Sequence, residues 1–333
     1  MKYLMFIVLI FSVLTAQFNW QENGVSLRQG AHIEWQRTGT VGENGEVILV
    51  WSDTRNGDRN VYAQKVDDSG QNLWGDGGVA VVSEAGRQED PLAISDGAGG
   101  AYIVWKDYRY ELDDGDVFVQ HILSDGSLDW AEEGIALSDV EGPQEFLNMC
   151  SDEIGGAFVI WIDRSTGSSI GGDVYATHLS LTGEIVDAGT GKAIITDGGD
   201  RGSISLETGG AGYANLVWSE VADTDWKVLM GQRLDLECET LWSEPEEGGK
   251  LLISSSSGDI KAPRVTHVGG DTAAIVWEDF RYNPVSPDVF LQFIDGDGNE
   301  LLNNGGIGIC IDSGKQSVPR VKANDNTAYV VWE

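Results

Sequence analysis

The chain has 333 residues, with 54 acidic and 21 basic side chains and a formal net charge of −33. An acidic surface repels nucleic acids and anionic membranes, so the charge disfavours both as partners. The chain contains 44 glycines but only 7 prolines and shows no sustained helical period, which indicates an all-β protein with many tight turns.

The first residues have the features of an export signal. Lys2 precedes an apolar stretch, Tyr3 to Leu14, that is too short to span a bilayer, and Ala16 ends a plausible cleavage motif. We therefore predict a signal peptide at residues 1–16. No later segment is apolar enough to cross a membrane. The predicted location is secreted, extracellular or at the cell surface.

A short apolar segment ending in tryptophan recurs along the rest of the chain. Its copies end at Trp51, Trp105, Trp161, Trp218, Trp277 and Trp332, which are 54, 56, 57, 59 and 55 residues apart. Such even spacing indicates a repeat architecture. The runs are short and rich in β-branched and aromatic residues, so each predicts a strand buried on both faces.

The second unit shows the predicted content of one repeat. Apolar strand patterns cover residues 91–95, 101–106, 116–123 and 134–138, with a polar loop between the second and third and Asp-Gly turns between the others. Four short antiparallel strands per repeat are typical of one blade of a β-propeller, in which the tryptophan fills the wedge between neighbouring blades. We predict an all-β propeller of about six four-stranded blades over residues 17–333.

The two ends of the repeat region are irregular. The segment Trp20 to Leu27 matches the fourth-strand segments Trp74 to Val81 and Trp130 to Leu137, whereas the chain ends at Glu333, on the second strand of the sixth unit. The last blade is therefore predicted to be incomplete in this chain, and we expect the sequence to be a C-terminally truncated fragment. Propellers often close their ring when an N-terminal strand completes the last blade.

An acid and an arginine follow the repeated tryptophan in several units. The candidate binding residues are Asp53 and Arg55, Asp107 and Arg109, Asp163 and Arg164, and Asp279 and Arg281. One interpretation is a ring of charges at one mouth of the propeller that binds a polar ligand. The other is structural: the acid caps its hairpin and pairs with the arginine. Repetition in several blades favours the structural interpretation, because an asymmetric ligand rarely needs the same residue in each blade.

A second acidic pattern offers a candidate metal site. Asp295, Asp297 and Asn299 alternate along Asp295 to Glu300, which is the oxygen-rich spacing of a short Ca²⁺ loop. The remainder of an EF-hand pattern is missing, and an Asp-Gly hairpin turn explains the same residues more simply. Apart from this possible Ca²⁺, the sequence predicts no cofactor.

The repeat resembles that of secreted bacterial β-propeller proteins. The resemblance covers nearly all of residues 20–333 and is carried by Trp-x-Asp-x-Arg, by Asn60-Val-Tyr-Ala-Gln64 and by Gly70-Gln-Asn-Leu-Trp74. It implies a propeller fold and export, often with a C-terminal secretion-sorting domain, which is not visible here. The turn before the fourth strand also resembles the Asp-box of sialidase propellers, although Gly70 and Trp74 are one residue too far apart. Arg264 and Arg320 lie on predicted first strands, but a full set of substrate-binding arginines cannot be assigned.

Two function classes follow. We favour an exported, non-catalytic propeller that acts as an extracellular or cell-surface binding module, expected to be monomeric, for a polysaccharide or protein ligand. The alternative is a glycan-active propeller enzyme of the sialidase or glycosidase kind. Metalloprotease, α/β-hydrolase and phosphate-loop motifs are all missing from the sequence. An enzyme should have unique polar residues near the axis in one or two blades, so asymmetry discriminates between the two classes.

Overall fold

The structure is a computed structural model of the chain. It describes residues 26–27, 34–110, 114–164, 172–196, 201, 204–221, 227–242, 249–253, 258–324 and 326–333. The predicted signal peptide, residues 1–16, lies outside these ranges.

Within the described residues, 22 strands form six antiparallel sheets, five with four strands and one with two. The first three sheets consist of β1 (Glu34–Val41), β2 (Val47–Asn56), β3 (Asp58–Val66) and β4 (Val79–Val82); β5 (Gln88–Ser95), β6 (Ala101–Asp107), β7 (Asp116–Ile122) and β8 (Ile135–Ser138); and β9 (Gln144–Ser151), β10 (Ala157–Asp163), β11 (Asp173–Leu179) and β12 (Lys192–Ile195). The last three consist of β13 (Ser205–Thr208), β14 (Ala214–Val221), β15 (Lys227–Leu234) and β16 (Lys250–Ile253); β17 (Ile260–Gly269), β18 (Thr272–Asp279), β19 (Asp288–Ile294) and β20 (Ile307–Cys310); and β21 (Arg320–Asn324) and β22 (Thr327–Val331).

The six sheets are the blades of a β-propeller, as predicted. Strands follow one another in chain order across each sheet, and the first strand of each blade contacts the first strand of the next, from β1 through β5, β9, β13 and β17 to β21. This arrangement places the first strands innermost, around a common axis. Among the described residues, the last blade consists of its first two strands, β21 and β22.

Apolar packing between blades holds the fold together. Each cluster of buried apolar side chains joins two neighbouring blades, for example Val50 and Val81 of the first blade with Ile103 and Trp105 of the second. The second strands therefore bury both faces, which explains their continuous apolar runs. A fully buried valine, leucine or isoleucine contributes roughly 1.5–3 kcal/mol relative to an exposed one.

The repeated tryptophans occupy equivalent places. In the first five blades each pairs with a third-strand residue: Trp51 with Tyr62, Trp105 with Phe118, Trp161 with Tyr175, Trp218 with Met230 and Trp277 with Phe290. All five are at most 4% exposed, whereas Trp332 of the two-stranded blade is 40% exposed. In the five complete blades the tryptophan therefore fills the wedge between neighbouring blades.

A glycine before each fourth strand makes room for the tryptophan ring. A Cβ on Gly134 would lie 2.7 Å from Cη2 of Trp105, and one on Gly306 would lie 2.5 Å from Cη2 of Trp277. Both distances are shorter than any normal carbon contact. The glycine before the fourth strand is therefore required by the same ring that fills the wedge.

The predicted N-terminal fourth strand lies mostly outside the described residues. Its last two positions, Ser26 and Leu27, are placed against the first blade: Asn72 Nδ2 donates to the Ser26 carbonyl at 3.0 Å, and Leu27 lines a cavity of about 350 Å³ together with Trp51. Val81 and Leu137, which align with Leu27, share apolar clusters with Trp105 and Trp161 in the same manner. Closure of the ring by this segment stays a prediction.

The third strands of the first four blades carry a buried basic side chain near their ends, each paired with an acid. Lys65 Nζ lies 2.6 Å from Glu46, His121 Nε2 lies 3.0 Å from Asp96, His178 Nε2 lies 2.9 Å from Asp152, and Arg233 Nη2 lies 2.8 Å from Asp271. The first three pairs stay within one blade, whereas Arg233 reaches the next blade. These contacts give the two histidines a structural role, each within its own blade.

The charge of His121 should make stability depend on pH. Burial disfavours the charged ring, but hydrogen bonds to Asp96 and Asp129 outweigh it and raise the pKa of His121 above its usual value. A raised folded-state pKa adds stability that is complete below the unfolded-state value of about 6.5 and is lost as the pH rises through the folded-state value. The wild type should therefore exceed His121→Gln in unfolding free energy most at about pH 5.5, with a shrinking margin above that.

Urea denaturation between pH 5 and pH 9 measures this margin. Lys65→Gln is the matched control, since Lys65 holds the same position in the first blade and is likewise paired with an acid, Glu46. A margin for His121→Gln that does not change with pH would contradict the prediction.

Candidate functional site

The Trp-x-Asp-x-Arg boxes lie at the ends of the second strands. The tryptophan and the acid are two residues apart, so they point to the same face of the strand. In the first, second and fifth blades, the acid Oδ2 accepts the indole N–H at 2.8 Å; the acids are Asp53, Asp107 and Asp279. All three are 0% exposed. The buried carboxylate therefore serves as the hydrogen-bond acceptor for the tryptophan of its own blade.

The arginine completes the same unit. Its backbone N–H donates to the acid Oδ1 at 2.9–3.0 Å, and its Nη2 donates to Oδ2 at 2.6 Å in all three blades. The guanidinium stacks on a third-strand ring, at 3.7 Å for Arg55 over Tyr62 and 4.2 Å for both Arg109 over Phe118 and Arg281 over Phe290. It also donates to a carbonyl just before the fourth strand, as Arg109 does to Glu133 at 2.9 Å.

The charges of this unit support each other. Burial alone would raise the pKa of Asp53, but the hydrogen bonds from Arg55 and Trp51 outweigh burial and lower it. In the second blade, burial alone would lower the pKa of Arg109, but the contact with Asp107 outweighs it and raises the pKa. One box thus links the second, third and fourth strands of its blade through a buried ion pair.

Two blades form the box differently. In the fourth blade, Glu220 replaces the aspartate and accepts the indole N–H of Trp218 at 2.7 Å, while Arg201, from before the first strand, lies 3.8 Å from Glu220. In the third blade, Asp163 is 4% exposed, and Arg164 forms an ion pair with Glu145 at 2.7 Å. The buried indole N–H of Trp161 has no acceptor among the described residues.

These contacts agree with the structural interpretation of the boxes. Each arginine of the first, second and fifth blades has its guanidinium occupied by the acid, a ring and a carbonyl. The role of Asp53, Arg55, Asp107, Arg109, Asp163, Arg164, Asp279 and Arg281 in binding a ligand stays a prediction.

The candidate Ca²⁺ loop forms a capped hairpin turn. Asp295 Oδ1 accepts the backbone N–H of Asp297 at 3.0 Å and of Asn299 at 2.8 Å, while Asn299 Nδ2 donates to Asp295 Oδ2 at 3.1 Å. Lys250 Nζ donates to the Asp297 carbonyl at 2.7 Å and to Asn299 Oδ1 at 3.2 Å. A Ca²⁺ ion would compete with this ammonium group for the same oxygens.

A cavity that the Trp-x-Asp-x-Arg boxes gave no reason to expect opens at the inner strands. It measures about 570 Å³ and lies among the first strands of the first three blades. Its polar lining consists of Gln36, Arg37, Thr38, Asp90, Lys106 and Glu145, and Pro91, Leu92 and Leu147 supply an apolar part. This volume is within the range of small-molecule binding sites. We call this cavity the axial pocket.

Asp90 is the centre of a polar network in the axial pocket. Its side chain accepts a hydrogen bond from Gln36 Nε2 and forms an ion pair with Lys106 Nζ at 2.9 Å, and its backbone N–H donates to Gln36 Oε1 at 2.9 Å. Burial alone would lower the pKa of Lys106, but Asp90 outweighs burial and raises it. Gln36 and Asp90 both have positive φ, at 38° and 51°, where their strands bulge. Bulges change the direction of a side chain relative to a regular strand.

Sequence reasoning missed the axial pocket because it followed what the repeats share. Lys106 lies between the tryptophan and the acid of its box, where the other units have Ser52, Ile162, Ser219, Glu278 and Glu333. Asp90 likewise aligns with Gln36, Ala262 and Val318, which have positive φ on or just before other first strands. Positions that differ from blade to blade within a fixed frame were the signal that could have identified these residues.

Two further features are not found in the described part of the chain. Among the described residues, no three histidine, cysteine or acidic side chains converge as a metal-binding group. None of the described segments forms a helix with the length and apolarity that a membrane crossing requires.

Replacing Asp107 with alanine should destabilise the protein. The change leaves the buried indole N–H of Trp105 and the guanidinium of Arg109 without their acceptor, and a loss of this kind typically costs about 1–3 kcal/mol. Asp53→Ala and Asp279→Ala should behave alike, because their contacts are the same. Denaturation curves measure the loss, and any ligand binding at a permissive temperature should be unaffected. Unchanged melting temperatures for all three variants would support a binding role, since ordinary surface substitutions stay within about 0.5 kcal/mol.

The calcium prediction can be tested together with Lys250. Ca²⁺ binding at Asp295, Asp297 and Asn299 should give heat in a calorimetric titration and raise the melting temperature relative to chelator, because a ligand that binds only the folded state stabilises it. Lys250→Ala should strengthen binding, since it removes the competing ammonium. Absence of heat in both proteins, with melting temperatures indifferent to chelator, would refute the site.

Comparisons with known proteins do not place the chain in a family. No family model matches it, and no curated protein is similar to it in sequence. Among solved structures it is similar to an α-L-arabinanase of Penicillium chrysogenum in complex with arabinobiose, at 13% identity and a TM-score of 0.48, over 93% of this chain and 97% of that one. It is also similar to a protein of unknown function from Dyadobacter fermentans, at 11% identity and a TM-score of 0.41 over 92% of each chain, and to the Hadza microbial sialidase Hz136, at 11% identity and a TM-score of 0.42 over 87% of this chain and 61% of that one.

Proposed function

We propose that the protein is an exported, glycan-binding propeller and that the axial pocket takes a sugar residue of the ligand. The observation that carries the proposal is the network of Asp90, Gln36 and Lys106 at the inner ends of neighbouring blades. It sets a carboxylate, an amide and an ammonium group side by side. Such groups can accept from and donate to adjacent hydroxyls, and charge-assisted hydrogen bonds are stronger than neutral ones.

The remainder of the pocket fits the same ligand class. Pro91, Leu92 and Leu147 offer an apolar wall for the carbon face of a sugar ring. The acids of the pocket have cationic partners, Lys106 for Asp90 and Arg164 for Glu145, so a neutral polyol meets a nearly balanced local charge. Paired charges also fix the side chains before the ligand arrives, which lowers the cost of binding.

Hydrolysis of the bound glycan is the second candidate. The axial pocket contains two carboxylates from neighbouring blades, Asp90 of β5 and Glu145 of β9. Glycosidases use a pair of carboxyl groups on either side of the scissile bond. The same pocket would then serve both binding and chemistry, and the two candidates differ only in turnover.

A glycan array followed by calorimetry tests the binding proposal. Asp90→Asn and Lys106→Met each break the ion pair of the pocket, and we expect each to weaken the best array ligand at least about tenfold, which corresponds to about 1.4 kcal/mol. Lys192→Met is the matched control, because Lys192 lies on the fourth strand of the third blade, outside the pocket, and its ion pair is with Glu239. Loss in the control equal to that in the pocket variants, or an array without a bound glycan, would overturn the proposal.

A panel of chromogenic glycosides separates the two candidates. Turnover by the wild type that Asp90→Asn and Glu145→Gln both abolish would establish hydrolysis. Binding without turnover would leave the protein as a binding module.

A further inference from the structure

The arginine of the third-blade box differs in position from the others. It directly follows its acid, as Asp163-Arg164, whereas the boxes of the first, second and fifth blades have one residue between the two. Side chains alternate between the two faces of an extended chain, so residues two apart share a face and adjacent residues do not. The arginines that pair with the acid of their own box accordingly have this spacing; they are Arg55, Arg109 and Arg281.

Arg164 reaches the axial pocket. Its Nε lies 2.7 Å from Oε2 of Glu145, and its backbone N–H donates to the Pro143 carbonyl at 3.1 Å. Glu145 lies on β9, opposite Ile162 of β10, and lines the pocket. The shorter box of the third blade thus brings its guanidinium to a carboxylate of the pocket.

The third blade lacks a structural contact that the other complete blades have. In those four blades an acid accepts the indole N–H at 2.7–2.8 Å, but no described residue accepts that of Trp161. A buried donor without an acceptor lowers stability. Natural proteins retain local defects of this kind where function requires them. The blade with this defect is also one that supplies a carboxylate and its cation to the pocket.

Glu145 requires a partner to stay directed at the pocket. Its side chain is 40% exposed and can turn towards water, and fixing a long side chain costs conformational entropy. Within the described residues, Arg164 is the one cation that forms an ion pair with it. This contact restricts the carboxylate before a ligand arrives, which lowers the cost of binding. Lys106 has the same relation to Asp90 on the neighbouring blade.

We propose that Arg164 is a positioning residue of the axial pocket, which holds the Glu145 carboxylate in place to accept a hydrogen bond from a sugar hydroxyl. This inference rests on the proposed glycan-binding function and adds a residue that acts through another side chain. The shortened box is the means. With one residue fewer between acid and arginine, the guanidinium orients a group of the pocket, whereas in the other boxes it stabilises the acid beneath the tryptophan.

A double-mutant cycle tests whether Arg164 acts through Glu145. The probe is the neutral oligosaccharide that binds most tightly in the glycan array, and calorimetry measures its affinity. We expect Arg164→Gln and Glu145→Gln each to weaken binding about fivefold or more, and Arg164→Gln to have little further effect in the Glu145→Gln protein. Arg164→Lys should bind more tightly than Arg164→Gln, because it keeps the positive charge. Arg233→Gln is the matched control, since it breaks an arginine–carboxylate pair outside the pocket, with Asp271, and should leave affinity unchanged.

Restoring the box provides a second test, in which stability and affinity should change in opposite directions. One threonine inserted between Asp163 and Arg164 gives the spacing of Asp53 to Arg55. The melting temperature should rise, because the arginine returns to the face of its acid and the box of Trp161 can form. Binding of the same oligosaccharide should weaken about fivefold, because Glu145 loses its partner. An arginine with only a structural role would not lower affinity while the protein becomes more stable.

Each result supports or overturns the inference. Additive effects of the two substitutions, or wild-type affinity in Arg164→Gln, would overturn it. An inserted variant that binds as tightly as the wild type, or that melts below it, would do the same. Loss of binding in Asp90→Asn would in those cases still support the proposed function, whereas an array without any bound glycan would overturn both. Circular dichroism spectra and melting curves show that each variant is folded at the temperature of the titration.

Discussion

Burial of one tryptophan per blade is the constraint on which the structure depends. The indole ring fills the wedge between blades, so its N–H group lies far from water and must find an acceptor inside the protein. The acid two residues further along the strand is the nearest group on the same face, and it accepts that bond in four of the five complete blades. Its charge is then buried as well and requires a cation. The arginine that follows supplies this cation and is itself held by a ring and a carbonyl of the same blade. Trp-x-Asp-x-Arg is therefore one unit: the buried indole N–H requires the carboxylate as its acceptor, and the buried carboxylate requires the arginine as its counter-ion.

The third and fourth blades show how much variation this constraint permits. Glu220 reaches the indole of Trp218 as well as an aspartate does, and Arg201 approaches it from a different part of the chain. In the third blade no described residue accepts the indole N–H of Trp161, and a buried donor without an acceptor typically costs about 1–3 kcal/mol. The packing of that ring is unchanged, since Trp161 is 1% exposed. Wedge packing is therefore the stronger requirement, and the hydrogen bond is the part that a single blade can lose.

The fold could be predicted from the sequence because the same pattern of strands and turns occurs six times. Apolar runs ending in tryptophan, Asp-Gly turns and a spacing of 54 to 59 residues left few other architectures possible, and the two-stranded last blade was predicted as well. The candidate site could not be predicted in the same manner. Asp90 reaches Lys106 through a bulge with positive φ, and the contact between Gln36 and Asp90 joins residues 54 positions apart in different blades. Neither a bulge nor the packing of one inner strand on the next leaves a pattern in a single sequence.

Repetition itself separates structural from functional residues in such a fold. Every complete blade buries a tryptophan in the same way, so a residue that stabilises this burial recurs at the same position of the repeat. Asp53, Asp107 and Asp279 are examples. A ligand at the axis meets each blade from a different side and gains nothing from six identical groups. Residues that recognise it should therefore be found where the frame is fixed and the side chain varies. Lys106, between its tryptophan and its acid, satisfies that condition. The regular part of the chain determines where the inner strands lie, and the irregular positions on those strands determine what they can bind.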